Sequence, residues 1–271
     1  MAQLPLHDEV HTVMNGFMKA TGLENVGKTE PTPAPSQHRR ITLPFAIDMT
    51  LKLYGHLISQ PTRAVAWLLR VKGVSYELVP TMPKNGDTRT PEYLRMNPNA
   101  LVPTIKDGDF TLFEGNAILA YLAEKHHWTD VYPTDLHTRA KIHQYLHWHH
   151  TNVRLGTPQV LLPYIMKVNG AATPEHLEKI ATKEQTIGRF VGILEQLFKA
   201  PYIAENHAPT LADYACYCEL DQLEAMEVFD FGKYAKTSDW MKRMKEIPHH
   251  DEVREPLFTF LEKMKLKPVQ Q

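Results

Sequence analysis

The stretch Met96–Lys125, MNPNALVPTIKDGDFTLFEGNAILAYLAEK, contains a loop, two short strands, a tight turn and the start of a helix. Val102-Pro103 open a segment with strand character, and Asp107-Gly108 supply the residue types of a two-residue hairpin turn. The returning strand Phe110–Phe113 leads directly into a helix that begins near Glu114-Gly115. Because the first N–H groups of a helix have no intrahelical partners, this junction predicts a binding site for an anion.

The bulk composition is that of a globular protein. Of 271 residues, 43% are hydrophobic and 23% are charged, and the formal net charge is −1. This balance provides no basic field for nucleic acid or anionic lipid, and no apolar run is long enough to cross a bilayer. We therefore expect neither a nucleic-acid partner nor a membrane span.

The cysteines are Cys216 and Cys218, which form a C-x-C pattern inside a predicted helix. Side chains two positions apart point to different faces of a helix, so a disulfide between them is not expected. Both are interpreted as small core or surface residues. The pattern fits a reducing compartment, and we expect a cytoplasmic protein.

Residues 1–46 differ in character from the rest of the chain and are interpreted as an N-terminal extension. Apolar residues at helical spacing predict a short helix, and the stretch Thr29–Ser36, TEPTPAPS, predicts a stiff proline-rich linker. The segment is too acidic for a mitochondrial transit peptide and has no long apolar centre for a signal peptide. The sequence does not indicate its function. The helical apolar residues are Leu6, Val10, Val13 and Phe17.

Residues 47–130 predict an α/β domain with the element order β-α-β-α-β-β-α, which is the order of a thioredoxin-like domain. Residues 135–268 predict an all-helical domain. The predicted elements of the first domain are strand 50–57, helix 59–71, strand 75–81, helix 91–96, and then the hairpin and helix described above. The predicted helices of the second domain are 135–168, 174–199, 210–226, 236–246 and 251–265.

Ser59 follows the first predicted strand and precedes Pro61, a residue favoured in the first turn of a helix. Its hydroxyl has two interpretations. In the first, it caps the helix by accepting a backbone N–H, which contributes about 1 kcal/mol. Alternatively, it donates a hydrogen bond to an anion held above the helix N-terminus. Position alone favours the cap.

The string Gly55–Val65, GHLISQPTRAV, resembles the theta-class glutathione transferase segment L-x-S-Q-P-x-R-A, in which the serine is catalytic. Met96–Lys125 resembles the glutathione-binding half of that fold, and Arg139–Arg154, RAKIHQYLHWHHTNVR, resembles its first long helix. The resemblance covers about residues 50–265. It implies a thioredoxin-like domain that binds glutathione, followed by the helical glutathione-transferase domain, which binds a small hydrophobic electrophile.

The resemblance also implies individual roles. Ser59 would stabilise the glutathione thiolate, whose thiol pKa is near 8.5 when free. Val102, followed by a cis bond to Pro103, would pair its backbone with the cysteinyl unit. Glu114 would meet the ammonium of the γ-glutamyl end, and the helix start at Gly115 would bind its carboxylate.

Three positions depart from the family pattern. Gly115 stands where most members have serine, and the lost hydroxyl corresponds to a deficit of about 1 kcal/mol. Thr88 stands where theta relatives usually have a histidine near the glycine carboxylate, and the adjacent Arg89 is our candidate for the missing charge. Leu101 replaces a common lysine. These departures leave the fold prediction intact and argue against tight glutathione binding.

In the helical half, Arg154 matches an arginine that faces the active site in the family; the alternative is a solvated helix arginine. His147 and His150 are i, i+3 neighbours, but no third ligand stands at a suitable spacing, so no metal is expected. Thr210–Asp213 predicts a capping box with a role in folding. Candidate walls for an electrophile pocket are Tyr145, Trp148, Phe258, Phe260 and Met264.

The resemblance implies a theta-like glutathione transferase that uses glutathione as co-substrate and acts in detoxification. Members of the family are usually two-fold homodimers, and we expect the same here. The alternative is a non-catalytic binding or scaffold protein with the same fold, because fold does not fix function. The altered binding residues and the extension 1–46 favour this alternative, whereas Ser59 and Arg63 favour the enzyme.

Overall fold

The computed structural model describes residues 51–266. The predicted extension, residues 1–46, lies outside the described residues. No helix between residues 51 and 266 is both long enough and apolar enough to cross a membrane.

The first part of the described chain forms a mixed sheet of four strands in the order β2-β1-β3-β4. β1 pairs in parallel with β2 and antiparallel with β3, and β3 pairs antiparallel with β4. Leu53 and Ile105, which are opposite each other in register, are fully buried at its centre. The strands are β1 Leu51–Gly55, β2 Tyr76–Pro80, β3 Thr104–Asp107 and β4 Phe110–Phe113.

The hairpin predicted at Asp107-Gly108 is confirmed. Asp107 pairs with Phe110, so the loop consists of two residues, and Gly108 adopts a φ of 59°. This positive φ is the reason that the turn takes glycine there. The local turn chemistry therefore identified the hairpin correctly.

Three α-helices complete the predicted order of the first domain, and they are α1 Gln60–Val71, α2 Pro91–Met96 and α3 Gly115–Lys125. Two 3₁₀ turns, Pro83–Asn85 and Asp87–Arg89, connect β2 to α2. Every residue of α1 from Thr62 to Leu69 is buried. A helix that is covered on all sides belongs to the core, and α1 packs against both α3 and the helical second half.

The second part is helical. Its central helix contains an unbroken buried run from Leu211 to Leu223. The element order, a thioredoxin-like α/β region followed by a helical region, is as predicted. The helices are α4 Leu136–His150, α5 Leu162–Val168, α6 Pro174–Ala181, α7 Lys183–Leu197, α8 Leu211–Ala225, α9 Ala235–Lys245 and α10 His250–Lys263.

The prediction of a single helix over 135–168 is wrong. The chain leaves the helix at Asn152, whose φ and ψ are −131° and −87° and whose amide donates to the Trp148 carbonyl at 2.9 Å. Such a local bond competes with helical pairing. A π-helical segment, Thr157–Leu161, then precedes α5, and Pro158 inside it cannot donate to a preceding turn.

The prediction of a single helix over 174–199 is also wrong, because the chain bends at Thr182 between α6 and α7. Thr182 has a φ of −96° and a ψ of 8°, outside the helical range. Its hydroxyl donates to the Glu178 carbonyl at 2.9 Å. Threonine side chains stabilise such interruptions by offering the backbone an alternative partner.

The predicted capping box at the start of α8 is confirmed. The buried carboxylate of Asp213 accepts the Thr210 N–H at 2.7 Å and the Thr210 hydroxyl at 2.8 Å. Its other oxygen accepts the Ile203 N–H at 2.9 Å and the Trp240 indole N–H at 2.8 Å. Burial raises the pKa of Asp213 to about 6. This side chain therefore joins α8 to α9 and to the preceding loop.

His149 in α4 provides a prediction about acid stability. Its ring Nδ1 lies 3.2 Å from the buried Tyr145 hydroxyl. Burial, followed by the charges of Arg154 and His150, lowers the pKa of His149 to about 3.

Between this pKa and the value near 6.5 of an unfolded histidine, the unfolded state binds a proton that the folded state does not. Stability from neutral His149 is therefore present above the unfolded pKa and is lost as the pH falls. We therefore compare the free energy of unfolding of the wild type with that of His149→Gln in denaturant titrations. The difference, wild type minus variant, should decrease from neutral to acidic pH. A difference that is constant with pH would contradict this.

Candidate active site

Ser59 lies at the N-cap position of α1, with a φ of −70° and a ψ of 122°, but its hydroxyl does not cap the helix. Instead it accepts a hydrogen bond from the Thr62 hydroxyl at 3.1 Å. No contact within the described chain uses the proton of Ser59. The capping interpretation is therefore wrong for this geometry. The hydroxyl proton of Ser59 is available for a hydrogen bond to a ligand.

The loop that presents Ser59 is tied to α8 by Arg63, whose side chain is 1% exposed. The guanidinium donates to the Leu57 carbonyl at 3.0 Å and to the Ile58 carbonyl at 3.2 Å. Its other amino group donates to the Cys218 carbonyl of α8 at 2.7 Å. Arg63 thus fixes the backbone immediately before Ser59 against the core helix of the second half.

The start of α3 lies against the start of α1. A Cβ atom added at Gly115 would lie 2.8 Å from the Pro61 Cβ, closer than real contacts allow. Glycine at position 115 accommodates this close approach. The approach also brings together the positive ends of two helix dipoles, which favour anions.

Glu114, just before α3, has a φ of 72° and a ψ of 110°. A non-glycine residue in this region is strained, and such strain is concentrated at ligand-binding sites. The Glu114 side chain is exposed, so its carboxylate is accessible to a ligand cation. The sequence placed Glu114 correctly at the helix start but carried no signal for this backbone conformation.

Gly115 gives a direct prediction. Gly115→Ser restores the hydroxyl common in the resembling sequences, but its Cβ meets Pro61, and overpacking of this kind destabilises by about 1–3 kcal/mol. We expect a lower melting temperature and no gain in glutathione affinity by calorimetry. Gly115→Ala is the matched control, because it adds the Cβ without the hydroxyl. Tighter binding with unchanged stability in Gly115→Ser would refute the steric explanation.

The predicted cis bond between Val102 and Pro103 is present. The preceding Leu101 carbonyl accepts hydrogen bonds from the Tyr93 hydroxyl at 2.6 Å and from the Asn97 amide at 2.9 Å. The backbone N–H and C=O of Val102 form no hydrogen bond within residues 51–266. They are therefore available to an extended peptide that would add to this edge.

This edge is shared with Ser59. Thr104, two residues after Val102, pairs with Tyr54 at the end of β1. Ser59 follows the same end of β1 by a short loop in which its N–H donates to the His56 carbonyl at 3.0 Å. The sheet therefore brings Val102 and Ser59 to one side of the domain.

Arg154 reaches this site from the helical half. One of its amino groups donates to the Gln60 side-chain oxygen at 3.0 Å and to the Glu219 carboxylate at 2.7 Å. Gln60 is the first residue of α1 and is adjacent to Ser59. The interpretation of Arg154 as a purely solvated side chain is therefore wrong.

The buried carboxylate partner of Arg154 could not be identified from the sequence. Glu219 is 2% exposed, and burial raises its pKa, while the charge of Arg154 opposes that shift. Gln222, one turn further along α8, donates to Thr157 at 3.1 Å and to Glu219 at 3.2 Å. These residues link the helical half to the first turn of α1 by polar contacts.

Comparison with known proteins identifies the family. The family model for the glutathione S-transferase N-terminal domain matches residues 49–124. Glutathione S-transferase T1 of Arabidopsis thaliana is 34% identical over 228 residues, which cover 79% of this chain and 91% of that protein. The chain belongs to the glutathione S-transferase family. It is an enzyme of that family, as the sequence predicted.

Relatives of this transferase include enzymes of the theta class. Human glutathione S-transferase theta-2B is 36% identical, with 72% of this chain and 81% of that protein covered. A crystal structure of human glutathione transferase theta-2, solved with glutathione, is 29% identical and superposes with a TM-score of 0.69. That match covers 79% of this chain and 90% of the other. These likenesses support glutathione as the co-substrate of the present enzyme.

The three departures from the family pattern have different surroundings in the transferase. Thr88 is buried, and its hydroxyl has no hydrogen-bond partner among residues 51–266. Arg89 is exposed at the end of the 3₁₀ turn, and Leu101 is 43% exposed.

The predicted electrophile-pocket residues divide into two groups. Phe260 and Met264 are buried in the core, whereas Phe258 is partly buried. Tyr145 and Trp148 line a cavity of about 240 Å³ between α4, α7 and the turn Ile203–Glu205. Residues 51–266 contain no group of three or more His, Cys, Asp or Glu side chains arranged to hold a metal ion.

Proposed function

We propose that this protein is a theta-like glutathione transferase in which the Ser59 hydroxyl stabilises the glutathione thiolate for attack on electrophilic substrates. The observation that carries the proposal is the state of Ser59: its oxygen accepts from Thr62, and its own proton has no partner in the described chain. A hydroxyl in this state, at the N-terminus of α1, is suited to donate to a sulfur anion.

The chemistry follows from the charge distribution. The N-terminus of α1 and the Ser59 donor both favour a sulfur anion, so they lower the pKa of the bound thiol. The sulfur lone pair then forms a C–S bond at an electrophilic carbon, and the bond to the leaving group breaks with its electron pair. A halide leaves as its anion. With a peroxide, the sulfur attacks oxygen and the O–O bond breaks, with the departing oxygen taking a proton from water.

The peptide is positioned by groups around α1 and α3. We propose that the Val102 backbone pairs with the cysteinyl unit, that Glu114 binds the ammonium, and that the N–H groups at Gly115 bind the γ-glutamyl carboxylate. The unpaired backbone of Val102 and the exposed Glu114 side chain support these roles. Arg154 pairs with Glu219 and keeps 37% of its side chain exposed beside the cleft.

Two wider expectations remain proposals. We propose a two-fold homodimer, supported by two apolar side chains of the sheet domain, Leu101 at 43% and Phe110 at 46% exposure. We also propose a cytoplasmic detoxification enzyme, which is consistent with the free thiols of Cys216 and Cys218. Sedimentation analysis tests the dimer, and a monomer at micromolar concentration would contradict it.

The activity itself is tested by retention on immobilised glutathione, followed by assays with alkyl halides, aryl halides and organic hydroperoxides. We expect retention and turnover of at least one of these classes. Binding of glutathione without turnover of any electrophile would favour the alternative, a binding or scaffold protein. Failure to bind glutathione at millimolar concentration would overturn the proposed function.

A further inference from the structure

Gln60, the first residue of α1, is a buried polar side chain directly after Ser59, and it is 5% exposed. Its side-chain oxygen accepts from an Arg154 amino group at 3.0 Å, and its side-chain nitrogen donates to the Gln222 side-chain oxygen. Since an amide oxygen only accepts and an amide nitrogen only donates, a flipped side chain would set like groups against each other at both ends. The orientation of Gln60 is therefore fixed.

Gln222, which is fully buried in α8, is oriented by Glu219. Its side-chain nitrogen donates to one Glu219 carboxylate oxygen at 3.2 Å, and Arg154 donates to the other at 2.7 Å. These contacts close a ring of hydrogen bonds through Gln60, Arg154, Glu219 and Gln222, which we call the polar ring. Arg154 donates to both of its neighbours and Glu219 accepts from both, so these two charges set the direction in which the two amides point.

The polar ring is buried at its acidic end. Glu219 is 2% exposed, and burial raises its pKa, while the charge of Arg154 opposes that shift. Buried ion pairs contribute little net stability relative to apolar residues of the same shape. Fully hydrogen-bonded polar networks do favour one arrangement of side chains over the others. The specific effect of the ring is therefore to fix the first turn of α1 in one position.

Ser59 lies between two anchors. Arg63 holds the carbonyls of the two residues before it, at 3.0 and 3.2 Å, and the polar ring holds Gln60 after it. Both anchors end on adjacent residues of α8, because Arg63 donates to the Cys218 carbonyl at 2.7 Å and the ring closes on Glu219. The direction in which the Ser59 hydroxyl points therefore depends on α8.

We infer that Glu219 and Gln222 are positioning residues for the reaction, and that through Gln60 they aim the Ser59 hydroxyl at the glutathione sulfur. This inference rests on the proposed function and adds to it a pair of buried residues from the helical half. The helical half then takes part in forming the thiolate, in addition to binding the electrophile.

The first test is the pKa of the bound glutathione thiol in Glu219→Gln, measured from the thiolate absorbance. Removal of a negative charge alone would lower this pKa, because a nearby carboxylate disfavours a second anion. Loss of the Ser59 alignment would raise it instead. We expect the pKa to rise by about 0.5 or more, kcat to fall about ten-fold, and the KM for glutathione to change less than about three-fold.

The rescue is the exchange variant, which combines Glu219→Gln with Gln222→Glu. It moves the carboxylate by one turn of α8, and the polar ring can close again. Gln60 then donates to the carboxylate at position 222, and Arg154 donates to the amide oxygen at position 219. We expect the thiol pKa and kcat to return most of the way to the wild-type values. An exchange variant that folds but is no more active than Glu219→Gln would overturn the inference.

Two further variants separate position from charge and from folding. Gln222→Met opens the polar ring without removing a charge, so it should also raise the thiol pKa, and it carries the test if Glu219→Gln does not fold. Glu224→Gln is the matched control on the same helix, where Glu224 pairs with Lys245 at 2.7 Å, and it should leave the thiol pKa and kcat unchanged. A thiol pKa that falls or stays constant in Glu219→Gln would overturn the inference.

A double variant tests whether the effect passes through Ser59. In Ser59→Ala, the addition of Glu219→Gln should lower kcat less than about two-fold, because residues that act through one group are not additive. Losses that multiply independently would overturn the inference. If the wild type does not bind glutathione, or binds it with the thiol at its free pKa, the proposed function fails. If the wild type lowers the pKa and neither Glu219→Gln nor Gln222→Met changes it, only this inference fails.

Discussion

Ser59→Ala is expected to lower kcat/KM for glutathione conjugation by about two to three powers of ten, as removal of a single donor to a developing anion commonly does. The variant loses the hydroxyl at the N-terminus of α1, whose proton has no hydrogen-bond partner among the described residues. The backbone of the loop is held separately, by Arg63 contacts to Leu57 and Ile58, so we expect the fold to be unchanged. Steady-state kinetics with a reactive aryl halide measure the loss.

Thr62→Val is the matched control for this experiment. It removes the hydroxyl that donates to Ser59 but leaves the Ser59 donor in place. We expect a loss well below that of Ser59→Ala, on the order of ten-fold or less, because one neutral hydrogen bond contributes about 1 kcal/mol. An unchanged rate in Ser59→Ala would remove Ser59 from the mechanism, and equal losses in the two variants would indicate a role in local structure alone.

Asp213→Ala is expected to reduce the free energy of unfolding by about 4 kcal/mol, because it leaves several buried donors without a partner. The lost acceptor serves Thr210 through both its N–H and its hydroxyl, and also the N–H groups of Ile203 and Trp240. With a pKa of about 6, the carboxyl group is largely ionised at pH 7. Urea denaturation at that pH gives the free energy directly.

Asp213→Asn serves as the control, because it retains one acceptor oxygen in the same shape. We expect a smaller loss, between the wild type and Asp213→Ala. Asp239→Ala, in the exposed part of α9, should change stability by less than about 0.5 kcal/mol, as exposed substitutions usually do. If Asp213→Ala stays within 1 kcal/mol of the wild type, the contacts of this carboxylate are not important for folding.

Much of the sheet domain could be predicted because its signals are local. The hairpin depends on the adjacent turn residues Asp107 and Gly108, and α2 is capped by Thr90, whose hydroxyl accepts the Tyr93 N–H at 3.2 Å. The same is true of Ser59 and Glu114, since both stand where an element ends and a helix begins. Such positions follow from strand and helix patterns over a few residues.

The remaining features depend on contacts between residues far apart in the chain. In the sequence, glycine at position 115 stands as a lost hydroxyl, whereas the fold shows the close approach of Pro61 from another helix. The role of Arg154 depends on Glu219, a buried acid in α8. The interruption of the first long helix depends on the conformation of Asn152, which periodicity does not encode.

The most direct test of the central claim is the pKa of the glutathione thiol when it is bound to the wild-type enzyme. The ultraviolet absorbance of the thiolate, followed against pH at saturating glutathione, gives this value. If α1 and Ser59 stabilise the sulfur anion, the bound thiol titrates at least about one unit below the free value near 8.5. A bound thiol that titrates at the free value would contradict the account.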